Sequence, residues 1–247
     1  MPLRILSYNI WYGGQDRLPL IADVIKQQQP DAVALLEANS RSHAQQLADD
    51  LDMQLIFGEA NSAFHVAWIS RLPIVRWENH RLPELYKTLL EVELSWDGSP
   101  LCLFATHLHA GRWREDDERR AQEMHAILSV LREKADQFHL LTGDFNTVHP
   151  TDTPGSRPRP EDDVPRLALS SRLVIPLLLE ASYIDCYRTL HPNKPGYTFE
   201  LPEPLWLRPD YIFASRHLAS HLTACEVVTD PKAINASDHL PIWAEFR

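Results

Sequence analysis

The sequence has no apolar run long enough to cross a bilayer, no paired cysteines and no surplus of positive charge. Each shortage removes a class of protein. A membrane-spanning helix needs about 20 consecutive, mostly apolar residues. The opening stretch MPLRILSYN also lacks the basic segment and long apolar stretch of a secretory leader. The three cysteines, Cys102, Cys186 and Cys225, are widely spaced and form no CxxC, which argues against a disulfide framework or a structural zinc site. Lys and Arg number 24 against 34 Asp and Glu, a net charge of −10. Binding to a phosphate backbone draws on Lys and Arg, so the overall field does not steer this chain to nucleic acid, although a local basic patch is still allowed. The expectation is a soluble, cytoplasmic protein in a reducing compartment. Its 247 residues, 44% hydrophobic, suffice for a single domain over 1–247.

What is present is an alternation of short apolar runs with helical stretches. Residues 3–9 read as a strand. Residues 18–29 carry Leu20, Ile21, Val24 and Ile25 at helical spacing and stop at Pro30. Residues 31–37 form a continuous apolar run ending in an acid, as a buried strand would. Residues 40–51 read as a helix with Ser40 or Ser42 at its N-cap. Strand-like runs follow at 55–57, 64–70, 74–82, 89–96 and 101–107, with Asp97-Gly98 as a hairpin signal. The spacing of Ala121, Met124, Leu128 and Leu131 predicts a long helix over 114–135, followed by a strand over 139–142. Residues 147–166 hold five prolines and read as a long loop, functional or merely inserted. A helix interrupted at Pro176 is expected over 167–181, then closing strands at 210–214, 223–228 and 242–246. No linker and no repeat divides the chain. Two packed β-sheets with helices outside is the simplest α/β architecture for this pattern.

The chemically interesting residues share one habit: they stand at the ends of apolar runs. Asn9 ends LRILSYN, Glu37 ends AVALLE and His107 ends LCLFATH; Asp144 and Asn146 follow HLLTG, Asp210 precedes YIF, and Asp238 and His239 precede LPIWAEF. Strand ends feed loops that hold binding and catalytic groups while the strands fix their positions. Taken singly, each also fits a structural role: an Asn that caps a turn, a Gly-Asp turn, an Asx turn at Ser237-Asp238. Taken together they are coherent. Glu37, Asp144 and Asp238 are hard oxygen ligands suited to Mg²⁺ or Mn²⁺ rather than zinc. Asn9 and Asn146 hold oxygens without adding charge. His107 and His239 can bond or protonate a substrate oxygen, and Asp210 can orient one imidazole. These are the requirements of phosphate-ester hydrolysis.

The ordered series SYN, LLE, SR-LP, THL, GDFN, YTF, DYIF and SDHLP, from Tyr8 to Pro241, resembles the endonuclease/exonuclease/phosphatase superfamily with its deoxyribonuclease-I-like fold. The resemblance implies an α/β four-layered sandwich of two packed mixed sheets flanked by helices. It also implies a hydrolase that cleaves phosphate esters with Mg²⁺ or Mn²⁺. On that reading Glu37, Asn9 and Asp238 match the metal-binding positions. Asp144 and Asn146 match the pair that positions water and phosphate. His239 matches the histidine facing the scissile phosphate, Asp210 its buried partner, and His107 a second phosphate-side histidine. A tyrosine replaces that second histidine in the abasic-site nucleases, so His107 argues against that branch. Two departures stand out: LLEAN replaces the commoner LQE, and Pro209 separates Arg208 from Asp210.

Trp11, Arg112, Trp113 and Arg119 flank these motifs and are candidate substrate contacts; surface packing is the alternative for each. The substrate class stays open among nucleic acid, nucleotide, inositol phosphate and phospholipid head group. A nuclease acting on DNA or RNA ends is one alternative, and a non-catalytic binding module retaining the fold is another.

Overall fold

The computed structural model describes residues 1–111, 113–153, 155–156, 172–200 and 205–247. In chain order the strands are β1 (Leu3–Asn9), β2 (Ala32–Leu36), β3 (Gln54–Gly58), β4 (Val66–Ser70), β5 (Ile74–His80), β6 (Leu89–Trp96), β7 (Ser99–His107), β8 (Phe138–Asp144), β9 (Gly155–Ser156), β10 (Ile184–Asp185), β11 (Phe199–Glu200), β12 (Leu205–Leu207), β13 (Asp210–Ala214), β14 (Leu222–Val227) and β15 (Ile242–Phe246). They build two six-stranded sheets, ordered β14-β15-β1-β2-β4-β3 and β10-β13-β8-β7-β6-β5, and a small sheet β11-β12-β9.

Alternation along the strands sets the layers. In β1, Leu3 and Ile5 face the second sheet, while Leu6 and Tyr8 face outward. In β7, Leu101, Leu103 and Ala105 face the first sheet, while Cys102 and Phe104 face outward. The central core is therefore shared between the sheets. The outer face of the first sheet is covered by α1 (Leu18–Gln28), α2 (Arg41–Asp50) and the short helix Pro231–Ala236. The outer face of the second is covered by α3 (Arg114–Arg132) and the helix Val174–Glu180. The result is the four-layered sandwich expected.

Each large sheet contains one parallel pair, β1 with β2 and β7 with β8, and the remaining neighbours run antiparallel. The connections between the parallel partners carry α1 and α3. Asp97 and Gly98 both take positive φ, 48° and 82°, the backbone of a tight hairpin turn.

Some boundaries differ from the sequence expectation. The long helix stops at Arg132, and residues 133–137 turn through bonds such as Gln137 N–H to Lys134 O. Pro176 does not interrupt its helix: it lies in the first turn of Val174–Glu180, where an amide proton has no intrahelical partner to lose. Residues 167–171, at the start of that expected helix, and most of the Pro-rich segment, 154 and 157–166, lie outside the described residues.

Candidate active site

Strand direction assembles the site. The parallel pairs deliver the carboxyl ends of β1 and β2, and of β7 and β8, to one rim. The antiparallel strands β6, β13 and β15 begin at that same rim. In the second sheet the register is direct: Asp144 pairs with His107 on one side and with Asp210 on the other. In the first, Asn9 ends β1 beside Leu36 of β2, so Glu37 is the next residue along. All eight strand-end residues singled out in the sequence meet here.

Gly143 makes the close approach of β7 and β8 possible. Its φ is +146°, and a Cβ there would sit 1.8 Å from the carbonyl oxygen of Thr106. The glycine of GDFN is thus fixed by sterics. Phe145 points into the core against Tyr211 and Phe213. Asn146 takes φ +50°, its N–H donates to Asp144 Oδ1 at 2.9 Å, and its Nδ2 donates to Leu108 O at 3.1 Å. Turn chemistry and site geometry are therefore the same feature in this motif.

Asp144 Oδ2 is the hub. It accepts from Asn9 Nδ2 at 3.1 Å and lies 3.3 Å from His107 Nε2 and 3.7 Å from His239 Nε2. Burial pushes the Asp144 pKa up; His239 and Lys87 pull it back and Asp210 adds to the rise. Asp210 Oδ2 accepts from Thr198 Oγ1 at 2.6 Å and sits 2.8 Å from His239 Nδ1. Burial works against a charged His239, yet Asp210 and then Asp144 push its pKa up to about 10. His107 differs: burial, then the charges of Lys87 and His239, hold its pKa well below the usual value, and its Nδ1 has no hydrogen-bond partner among the described residues.

The first sheet supplies oxygens. Glu37, at φ +55°, accepts from Tyr12 N–H through Oε2 at 2.9 Å, and its Oε1 lies 3.5 Å from Asn9 Nδ2. Asn9 Oδ1 accepts from Trp11 N–H at 3.1 Å. Ser237 Oγ donates to Asn9 O at 2.6 Å and ties the segment before β15 to the end of β1. Partial desolvation pushes the Asp238 carboxyl up; His239 opposes this, and Glu37 and Asp144 reinforce it. Hard oxygens short of positive charge are what a divalent cation relieves, so Glu37, Asn9 and Asp238 fit a hard divalent cation.

Among the described residues a second group, Glu78, His80 and Glu91 on β5 and β6, also offers ligand atoms within 4.8 Å of one another, as do Asp144, Asp210 and His239. Glu91 there is already paired with Lys134 at 2.9 Å, Arg76 at 3.2 Å and His80 at 2.9 Å.

The flanking candidates divide. Trp11 and Tyr12 are exposed, both at φ +51°, and Tyr12 rests against Phe64, whose ring meets His107 edge-on. Trp113 is 75% exposed at the start of α3. Arg119 lies over the Tyr86 ring at 5.1 Å. Arg112 lies outside the described residues. His109, two residues past His107, lies 3.0 Å from Asp116 and packs edge-on against Tyr86. Arg208 is buried and bonded to Asp152 and Asp185.

Sequence reading missed two groups. Lys87, 2% exposed, stands just before β6 with Nζ donating to Leu108 O at 2.7 Å. Glu123 of α3 accepts from Tyr86 N–H and His109 N–H, both at 2.8 Å, and so fixes the segments around Lys87 and Leu108. The available signal was a lysine immediately preceding the apolar run TLLEVEL, at a strand start.

The Endonuclease/Exonuclease/phosphatase family model matches residues 6–239. An AP endonuclease from Archaeoglobus fulgidus is similar in structure with TM-score 0.80 and 20% identity, covering 99% of each chain. The 3′ phosphatase NExo from Neisseria, bound to a product DNA hairpin, gives TM-score 0.78 at 19% identity over 99% of each chain. The human Nocturnin catalytic domain gives TM-score 0.74 at 22% identity, covering 100% of this chain and 93% of that one. At these identities the structural likeness speaks for the fold.

Proposed function

The chain belongs to the endonuclease/exonuclease/phosphatase family, whose members hydrolyse phosphate esters, and from that premise we propose a metal-dependent reaction and how this chain's own residues divide the work. The observation that carries the reading is the meeting of Asn9, Glu37, Asp144 and the His239–Asp210 pair at one rim, from both sheets.

Glu37, Asn9 and Asp238 are the side chains that would hold Mg²⁺ or Mn²⁺. A bound divalent ion supplies neutralisation of charge on a phosphate oxygen. Asp144 orients the attacking water and draws off its proton as the water approaches phosphorus in line with the leaving group. Its raised pKa makes it a better proton acceptor than an exposed aspartate. Asp210 fixes the His239 ring through Nδ1, leaving Nε2 toward Asp144 and the phosphate. Held cationic, His239 faces the charge that builds on the phosphoryl oxygens. His107, neutral by burial, serves as a hydrogen-bonding group rather than a charge. Asn146 holds the turn through Leu108. Trp11, Trp113 and Arg119 form the outer substrate contacts.

Exposed aromatics beside the metal residues favour a substrate with a planar group near the scissile phosphate, as in a nucleotide or nucleic-acid end. One structural relative, the 3′ phosphatase NExo, is bound to a product DNA hairpin, which agrees with that choice. A panel with Mg²⁺ or Mn²⁺ and a chelator control tests both levels. It contains an artificial phosphodiester and monoester, single- and double-stranded DNA, RNA, phosphoinositide and sphingomyelin. Chelator-sensitive turnover is expected, highest on nucleotide-containing substrates. No metal-dependent turnover on any substrate, with no Mn²⁺ binding by calorimetry, would leave the non-catalytic module as the reading.

A further inference from the structure

Lys87 is an expensive residue to keep. A buried ammonium loses its hydration and must be offset by partners. Among the described residues its bonded partners are few: Nζ donates to Leu108 O at 2.7 Å, and the Phe64 ring lies 5.5 Å away. An ammonium carries three donors, and no carboxylate forms an ion pair with it among the described residues. Yet it stands at the site. Its charge acts on both His107 and Asp144, and Asp144, Glu37 and Glu123 act on it in return.

The register explains its place. β6 runs antiparallel to β7, with Leu89 opposite Thr106, so Lys87 falls beside Leu108 where the chain leaves β7. His107, Asp144 and Asp210 form the adjacent row, one residue back along β7, across β7, β8 and β13. Leu108 O is shared by Lys87 Nζ and Asn146 Nδ2, which knots three strand ends together. Glu123 holds the neighbouring backbone on both sides.

We propose that Lys87 is the phosphate-side cation of this site, donating from the second sheet to a non-bridging oxygen of the substrate phosphate. The inference rests on the phosphoesterase reading above. It follows from charge. Were Glu37 engaged by a divalent ion, part of the negative charge that offsets Lys87 would be withdrawn. An anionic phosphate restores it. The first sheet thus grips the phosphate through oxygens and a metal, the second through a fixed ammonium. Burial lowers the Lys87 pKa to about 8, with Asp144 and Glu37 opposing, so the group is still mostly charged at neutral pH.

The test is a pair of calorimetric titrations on wild type, Lys87→Met and Lys87→Arg at neutral pH: Mn²⁺ alone, then inorganic phosphate into Mn²⁺-saturated protein. Lys87→Met removes a positive charge near Glu37, so Mn²⁺ binding should tighten or hold. Phosphate binding should weaken about 10–100-fold, the loss of one charge-assisted hydrogen bond. Lys87→Arg should recover most of the phosphate affinity. A lysine that only braces Leu108 would lose both ligands together, and that result, or phosphate affinity in Lys87→Met within twofold of wild type, overturns the proposal. Should Lys87→Met not fold, a crystal structure of the wild-type Mn²⁺–phosphate complex decides. Nζ within about 3.2 Å of a phosphate oxygen supports the role; Nζ on Leu108 O with no phosphate contact ends it. Wild type that binds neither Mn²⁺ nor phosphate would instead remove the phosphoesterase reading, and this inference with it.

Discussion

Among the described residues two clusters set an imidazole among carboxylates, Asp144–Asp210–His239 at the rim and Glu78–His80–Glu91 on β5 and β6. In both, the ligand atoms lie within 4.8 Å of one another, yet their electrostatics differ. Glu91 has its countercharges built in, from Lys134, Arg76 and His80. Burial raises its pKa, but the hydrogen bonds of His80 and Lys134 outweigh it and bring the carboxyl down to about 2. At the rim the balance is left incomplete. The carboxyls of Asp144 and Asp238 are pushed up, and the described positive charges, on His239 and Lys87, are themselves buried. Geometry alone marks both clusters as candidate sites; the shortage of positive charge marks only one as a place for ligands.

That contrast can be broken experimentally. The largest effect should come from the rim: Asp144→Ala, His239→Ala and Glu37→Ala are each expected to lower kcat about 10²–10³-fold or more while keeping the far-UV spectrum and a near-native Tm. Full metal-dependent turnover by His239→Ala would remove it from the mechanism. The second cluster should respond in stability instead. Glu91→Gln leaves Lys134 and His80 without their shared partner, for a loss of about 2–3 kcal/mol by denaturant unfolding, with turnover per folded molecule and Mn²⁺ stoichiometry unchanged. A change in that stoichiometry would make β5 and β6 a second metal site.

The same pair has a pH signature. The folded-state pKa of Glu91 is depressed from 4.5 to about 2, so its stabilisation is fully present above pH 4.5 and lost as pH falls toward 2. The stability difference between wild type and Glu91→Gln should therefore shrink over that window; a constant difference would assign the loss to packing. The smallest effect is expected at the mouth: Trp11→Ala should raise KM about three- to tenfold on a nucleotide ester with kcat nearly kept, the scale of one lost stacking contact. An equal change on a substrate without a planar group would mean that Trp11 shapes the loop rather than the ligand.

Much of the site was legible because it is written at strand ends, where an apolar run stops at an acid, amide or histidine. Asn9, Glu37, His107 and Asp144 close such runs, Asp210 and His239 open them, and the two packed sheets followed from the mixture of strand-like runs and helical stretches in both halves of the chain. Lys87 was not legible. A lysine ahead of a strand is ordinary, and only the β6–β7 register, a non-local fact, turns it inward. Pro176 misled for the opposite reason: its local signal is strong, but its effect depends on which turn of the helix it occupies.

The Ser237 Oγ–Asn9 O bond joins residues 228 positions apart, and the Asn9–Asp144 bond spans 135. Such contacts close late in folding, because long loops must be ordered before they are rewarded. In a refolding experiment, turnover should accordingly return with the slowest phase, after helical signal and apolar burial have recovered. The enzyme's activity is then a clock for the last act of its own assembly.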